Sequence, residues 1–173
     1  MGRDKAALEI EGQPLWKRQL ATLRATGASE LLVSGRPDGP YADAGLPIIA
    51  DLTPRAGPLA ALEAVLPRIT TSHVIVLAID LPTMRADFLS ALVKTALAKG
   101  CSVIPESEGH FEPLAAVYAP TLLPLVIESL RGEDRSMQNL LRKAVKQQLA
   151  ITHSISAEER TLFRNLNAPE DLA

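Results

Sequence analysis

Strands alternating with amphipathic helices predict an α/β fold, with a doubly wound, mostly parallel sheet in three layers. Three observations carry that expectation. His73–Asp80 (HVIVLAID) is a continuous apolar run, as a strand covered on both faces requires. An amphipathic helix, Arg85–Gly100, follows it directly and stops on glycine. Hydrophobic residues make up 47% of the chain and aromatics only 3%, so the core is expected to be aliphatic. The 173 residues suit one domain, 1–173, large enough to bury such a core.

The elements follow in order. Gln13–Gly27 predicts a helix, with Leu15, Gln19 and Leu23 sharing a face with Trp16 and Leu20. Glu30–Ser34 (ELLVS) reads as a strand, residues 35–45 as a Gly/Pro/Asp-rich loop, and Pro47–Asp51 (PIIAD) as a second strand. Pro58 sits at the start of a helix, PLAALEAVL, where its missing N–H costs nothing. Beyond Gly100, CSVIP and PLAAVY read as strands joined by the polar turn ESEGH. Helices are then expected near Thr121–Leu130 and Ser136–Gln147, with a late strand at Leu149–Ser154. Asn167 with Glu170 could form a capping box that opens a last helix.

Composition excludes several function classes. A net charge of −2 gives no basic face for nucleic acid. No run of about 18 apolar residues suggests a membrane span. The charged start, MGRDKAALEIEG, lacks the apolar stretch of a signal peptide. One cysteine, Cys101, cannot make an internal disulfide; a reducing, cytoplasmic setting is expected, with Cys101 as a small buried hydrophobe. His73, His110 and His153 are too scattered for zinc spacing. No GxGxxG follows a strand, which argues against a dinucleotide-binding dehydrogenase.

Ligands of doubly wound sheets bind beyond the carboxyl ends of the strands. That rule singles out Asp51 and Asp80, each ending a strand run. Carboxylates at such an edge can hold Mg2+, which takes a few carboxylates together with phosphate oxygens and water. The competing structural readings are a turn cap for Asp80 and a loop-stabilising role for Asp51.

Four segments, MGRDKAALEIEGQPLW, IIADLTPRAGPLAAL, VIVLAIDLPTM, and HFEPLAAVY with FRNLNAPEDL, occur in an order spanning nearly the whole chain. Together they resemble the molybdenum cofactor guanylyltransferase branch of the nucleotidyltransferases. The resemblance implies transfer of GMP from GTP to molybdopterin, with Mg2+ and release of pyrophosphate. It implies phosphate contact by Lys5, metal binding by Asp80 and a share in the GTP site for Asp51. Asn165 and Asn167 match asparagines on the acceptor side, though capping would also account for them. Glu112 and Pro113 match a stretch on the pterin side, and Gly57-Pro58 matches the family's glycine–proline turn. Ser34 stands where the family often has Asn near the guanine, which weakens any claim about base contacts. Transient contact with other molybdenum cofactor proteins is also implied.

The family's start reads like LxGGxSxRMGxDK, and only Met1-Gly2-Arg3-Asp4-Lys5 matches its end. The resemblance thus leads one to expect a chain lacking the first strand and the glycine-rich phosphate loop. A start placed at an internal methionine is favoured over a shortened natural relative. Asp4 before Lys5 favours GTP over the CTP of the sister cytidylyltransferases. A sugar-phosphate nucleotidyltransferase and a non-catalytic binding relative stay open as alternatives.

Overall fold

Residues 5–166 are described by the computed structural model of the protein. The first element is a short hairpin, β1 (Glu9–Ile10) with β2 (Gln13–Pro14), turning on Glu11 and Gly12, both at positive φ. It leads into α1 (Leu15–Ala25), which ends at Thr26 and Gly27. β3 (Val33–Ser34) and β4 (Ile48–Ile49) form a small parallel pair. After α2 (Pro58–Val65) comes β5 (Val74–Leu77), then α3 (Ala86–Lys99), which stops on Gly100 in the left-handed conformation.

The second half adds β6 (Ser102–Ser107), β7 (His110–Phe111), β8 (Ala115–Tyr118), α4 (Leu123–Arg131), α5 (Met137–Lys146) and β9 (Ala150–Ser154). These build a five-stranded sheet in the order β5-β8-β6-β7, with β9 parallel to β6. β8 runs antiparallel to both β5 and β6. The α/β class holds, and the sheet is mixed because the β6–β8 hairpin returns the chain between strands that the βα crossovers would otherwise leave parallel.

Alternation along β8 divides the core. Ala116 and Tyr118 face one side, with α2, α4 and α5. Ala115 and Val117 face the other, where Phe88, Leu89, Leu92 and Ala96 of α3 pack. Val103 and Ile104 of β6 split the same way. This period of two, with helices over both faces, is the three-layer arrangement. Aliphatic residues dominate both clusters, as the composition predicts.

Most expected strands are shorter than their apolar runs. ELLVS pairs only at Val33–Ser34 and PIIAD only at Ile48–Ile49, since each finds one partner edge. β5 ends at Leu77, so Asp80 lies in a turn beyond the strand. All four β5 residues stay partly exposed. Helices cover the faces of β5, but between it and β3 runs an apolar cleft of about 390 Å³, lined by α1, α2 and both strands. Within the described residues β3 pairs only with β4 and β5 only with β8, so each leaves its second edge open. Cys101 is partly exposed ahead of β6, unlike the buried role expected of it. The Asn167–Glu170 capping box lies outside the described residues. A capping box does form elsewhere: Ser156 N–H donates to the Glu159 carboxylate at 2.8 Å, and Glu159 N–H to Ser156 Oγ at 3.3 Å. No helix of the described residues is long and apolar enough to cross a membrane.

Candidate active site

The site gathers where β5 ends. Pro82 cannot continue a strand ladder, and the chain turns through Ala78–Leu81 before α3 begins. Asp80 occupies this turn with its side chain 27% exposed, facing Lys5 rather than the core. Lys5 opens a short 3-10 turn, Lys5–Ala7, anchored by buried Ala6. Its Nζ lies 3.9 Å from Asp80 Oδ2 and donates to the Leu166 carbonyl at 3.2 Å. Leu166 N–H in turn donates to the Asp80 carbonyl at 2.9 Å. Three distant stretches of chain therefore meet: the start, the end of β5 and the segment after β9.

The apolar cleft reaches this point, since Ala6 and Ile79, neighbours of Lys5 and Asp80, are among its lining. Charge thus stands beside an apolar slot, a common layout for a ligand with one ionic and one flat or apolar part.

The other sequence-predicted residues are placed unequally. Asp51 is exposed, two residues past β4 of the smaller sheet, and has no hydrogen bond or ion pair to any described residue. Asn165 is exposed and adjacent to Leu166, so the chain brings it near the site. Asn167 lies outside the described residues. Ser34 is exposed at the end of β3 and lines the cleft. Gly57 caps α2 at φ +58° and ψ −141°, a conformation that only glycine adopts without strain, and Pro58 is the first helical residue.

Glu112 is half-buried after β7, its N–H donating to the Pro105 carbonyl at 2.8 Å. Burial raises its carboxyl above the usual range, partly opposed by the nearby His110. The next residue, Pro113, accepts a hydrogen bond from the Tyr118 hydroxyl at 2.8 Å; complete burial pushes that phenol's pKa upward. His153 sits edge-on to Phe88, while His110 is exposed. Among the described residues no group of three or more His, Cys, Asp or Glu is placed to hold a metal by itself.

Sequence reasoning missed one contributor. Gln19 of α1 is only 5% exposed, and its amide nitrogen donates to the carbonyls of Ala78 (2.7 Å) and Leu81 (2.9 Å). Its Oε1 is buried without a hydrogen-bond partner among the described residues, an arrangement that costs about 1–3 kcal/mol. A polar residue within the apolar face of α1 was the available signal.

Comparison with known proteins identifies the frame that carries this site. The MobA-like NTP transferase domain matches residues 1–150. The chain belongs to the MobA-like NTP transferase family. A probable molybdenum cofactor guanylyltransferase of Opitutus terrae is 33% identical, over 99% of this chain and 86% of its own length. A molybdenum cofactor guanylyltransferase of Serratia proteamaculans is 31% identical, over 98% of this chain and 84% of its own length. Among solved structures, the molybdopterin-guanine dinucleotide biosynthesis protein A of Archaeoglobus fulgidus superposes with a TM-score of 0.77. It is 23% identical, with 99% of this chain and 88% of that one covered, and shares the fold. This MobA-like NTP transferase therefore carries its Lys5–Asp80 pair beyond the carboxyl end of β5, where ligands of α/β sheets bind.

Proposed function

We propose that this chain transfers GMP from GTP to molybdopterin. A terminal phosphate oxygen of molybdopterin forms a bond to the α-phosphorus of GTP. The bond from that phosphorus to the β-bridging oxygen breaks, and pyrophosphate leaves with the electron pair. The acceptor phosphate is itself the nucleophile, so no side chain forms a covalent intermediate.

The observation that carries this reading is the Lys5–Asp80 pair, 3.9 Å apart and open to solvent, in a chain matched almost end to end by guanylyltransferases. Lys5 would place a positive charge against the departing phosphates, where charge builds up in the transition state. Asp80 would hold Mg2+. A single partly exposed carboxylate suits that ion, which keeps waters and takes its remaining oxygens from substrate phosphates. When bound, the metal would neutralise phosphate charge. Asp51 and Asn165 would contact the nucleotide and the acceptor from outside the pair, and Asn167 is assigned to the acceptor on resemblance alone. A cytoplasmic setting fits a consumer of GTP.

Pyrophosphate release from GTP, molybdopterin and MgCl2 tests the proposal. Release that needs all three is expected, with CTP substituting poorly. Release with CTP in preference to GTP would make the chain a cytidylyltransferase. Nucleotide binding without release under any pairing would make it a non-catalytic relative.

A further inference from the structure

Asp80 sits in a turn, where no helix or strand ladder fixes its position. Four backbone hydrogen-bond sites hold that turn. Ala78 N–H donates to Leu114 O at 2.7 Å, and Asp80 O accepts from Leu166 N–H at 2.9 Å. The carbonyls of Ala78 and Leu81, which bracket Asp80, both accept from Gln19 Nε2 at 2.7 and 2.9 Å. The only side chain in this set is Gln19, and it arrives from a different element, α1.

The residue is poorly explained by packing. Gln19 shares the buried side of α1 with Leu15 and Leu20, where an apolar side chain would relieve the orphaned Oε1 but would take the donor from the Ala78 and Leu81 carbonyls. Its two amide hydrogens are matched to the two carbonyls flanking Asp80. We infer that Gln19 is a positioning residue: its amide sets the Asp80 carboxylate relative to Lys5, and so sets how Asp80 meets the metal–nucleotide complex. The inference rests on Asp80 acting as the metal-binding acid.

Gln19→Met keeps the length of the side chain and removes both donors. Mn2+ serves as the probe, titrated by electron paramagnetic resonance against the full chain with GTP present. Turnover and thermal midpoint are followed in parallel. Gln19→Met should weaken Mn2+–GTP binding by about tenfold or more, since small misplacements of a site group carry large penalties. The thermal midpoint should fall by only a few degrees, because loss of the two carbonyl bonds is partly offset by removal of the unpaired Gln19 Oε1. In an Asp80→Asn background, adding Gln19→Met should change metal binding by less than about twofold, because the two act through one group.

Equal losses in both backgrounds would mean that Gln19 merely supports the fold, and would overturn the inference. So would unchanged binding in Gln19→Met when Asp80→Asn is itself impaired. If Asp80→Asn binds Mn2+–GTP like the parent, the metal role of Asp80 fails, and this inference falls with it. Should Gln19→Met not fold, Gln19→Asn keeps an amide that is one methylene too short to reach both carbonyls. It should show the same metal defect, and parent-like binding by it would overturn the inference.

Discussion

Lys5 Nζ and Asp80 Oδ2 stand 3.9 Å apart, with the two side chains 37% and 27% exposed. A pair so open to solvent contributes little to stability, about 0–1 kcal/mol. Opposite charges held together beside a cleft instead give a nucleoside triphosphate two handles: a cation for phosphate oxygens and a carboxylate for a metal.

Asp80→Asn should abolish metal-dependent turnover while moving the thermal midpoint by no more than about 2–4 °C, because the ion pair it breaks is worth at most about 1 kcal/mol. Pyrophosphate release and a melting curve on one preparation check both halves. Turnover within a few fold of the parent would remove Asp80 from the metal site.

Lys5→Ala should lower kcat by about a hundredfold or more, as loss of a charged donor to the developing transition state does elsewhere. Lys5→Arg keeps the charge and should recover part of the loss. Steady-state kinetics on the two variants decide the point; an unaltered kcat in Lys5→Ala would leave Lys5 as a surface residue that caps the Leu166 carbonyl.

Glu112 predicts a pH dependence of stability. Its folded-state pKa is raised by burial, so the fold carries no penalty from it while the carboxyl is protonated, below the ordinary glutamate range. Stability is lost as pH rises through the raised value. Glu112→Gln should therefore flatten the melting temperature over the pH range just above the ordinary glutamate value and raise it beyond that range. A profile that keeps the parent's slope would place the dependence on another group.

Ser156→Ala removes the hydroxyl half of the Ser156–Glu159 capping box and should cost about 1 kcal/mol in urea unfolding. The same box holds the Glu159 carboxyl below its usual range, chiefly through Ser156 N–H, a contribution present above the unfolded pKa and lost as pH falls. Because that N–H survives in Ser156→Ala, most of the acid-side contribution should persist. Its complete disappearance would assign the shift to the hydroxyl instead.

Local pattern reported the helices well. The start of α2 and the stop of α3 were legible from Pro58 and Gly100, because a fixed φ and a left-handed cap are properties of single residues. Hairpins were less so: β1–β2 turns on Glu11 and Gly12, and the expected turn ESEGH instead lengthens β6 to Ser107 and supplies the start of β7 at His110. Strand ends depend on a partner edge that the strand's own residues do not encode. β5 accordingly stops at Leu77 although its apolar run continues to Ile79.

The sequence by itself determined the alternating α/β plan, the aliphatic core and the candidacy of Asp80, since periodicity and the ends of apolar runs are written along the chain, while Lys5 was a candidate on the family resemblance. Only the tertiary structure decided which candidates meet. Lys5, Asp80 and Leu166 converge through bonds between distant segments, while Asp51, two residues past β4, makes no bond to any of them. Gln19 gained its place from an α1 face packed against the β5 turn. Side-chain meetings of this kind arise from packing between layers, a relation between elements that no local stretch of sequence contains.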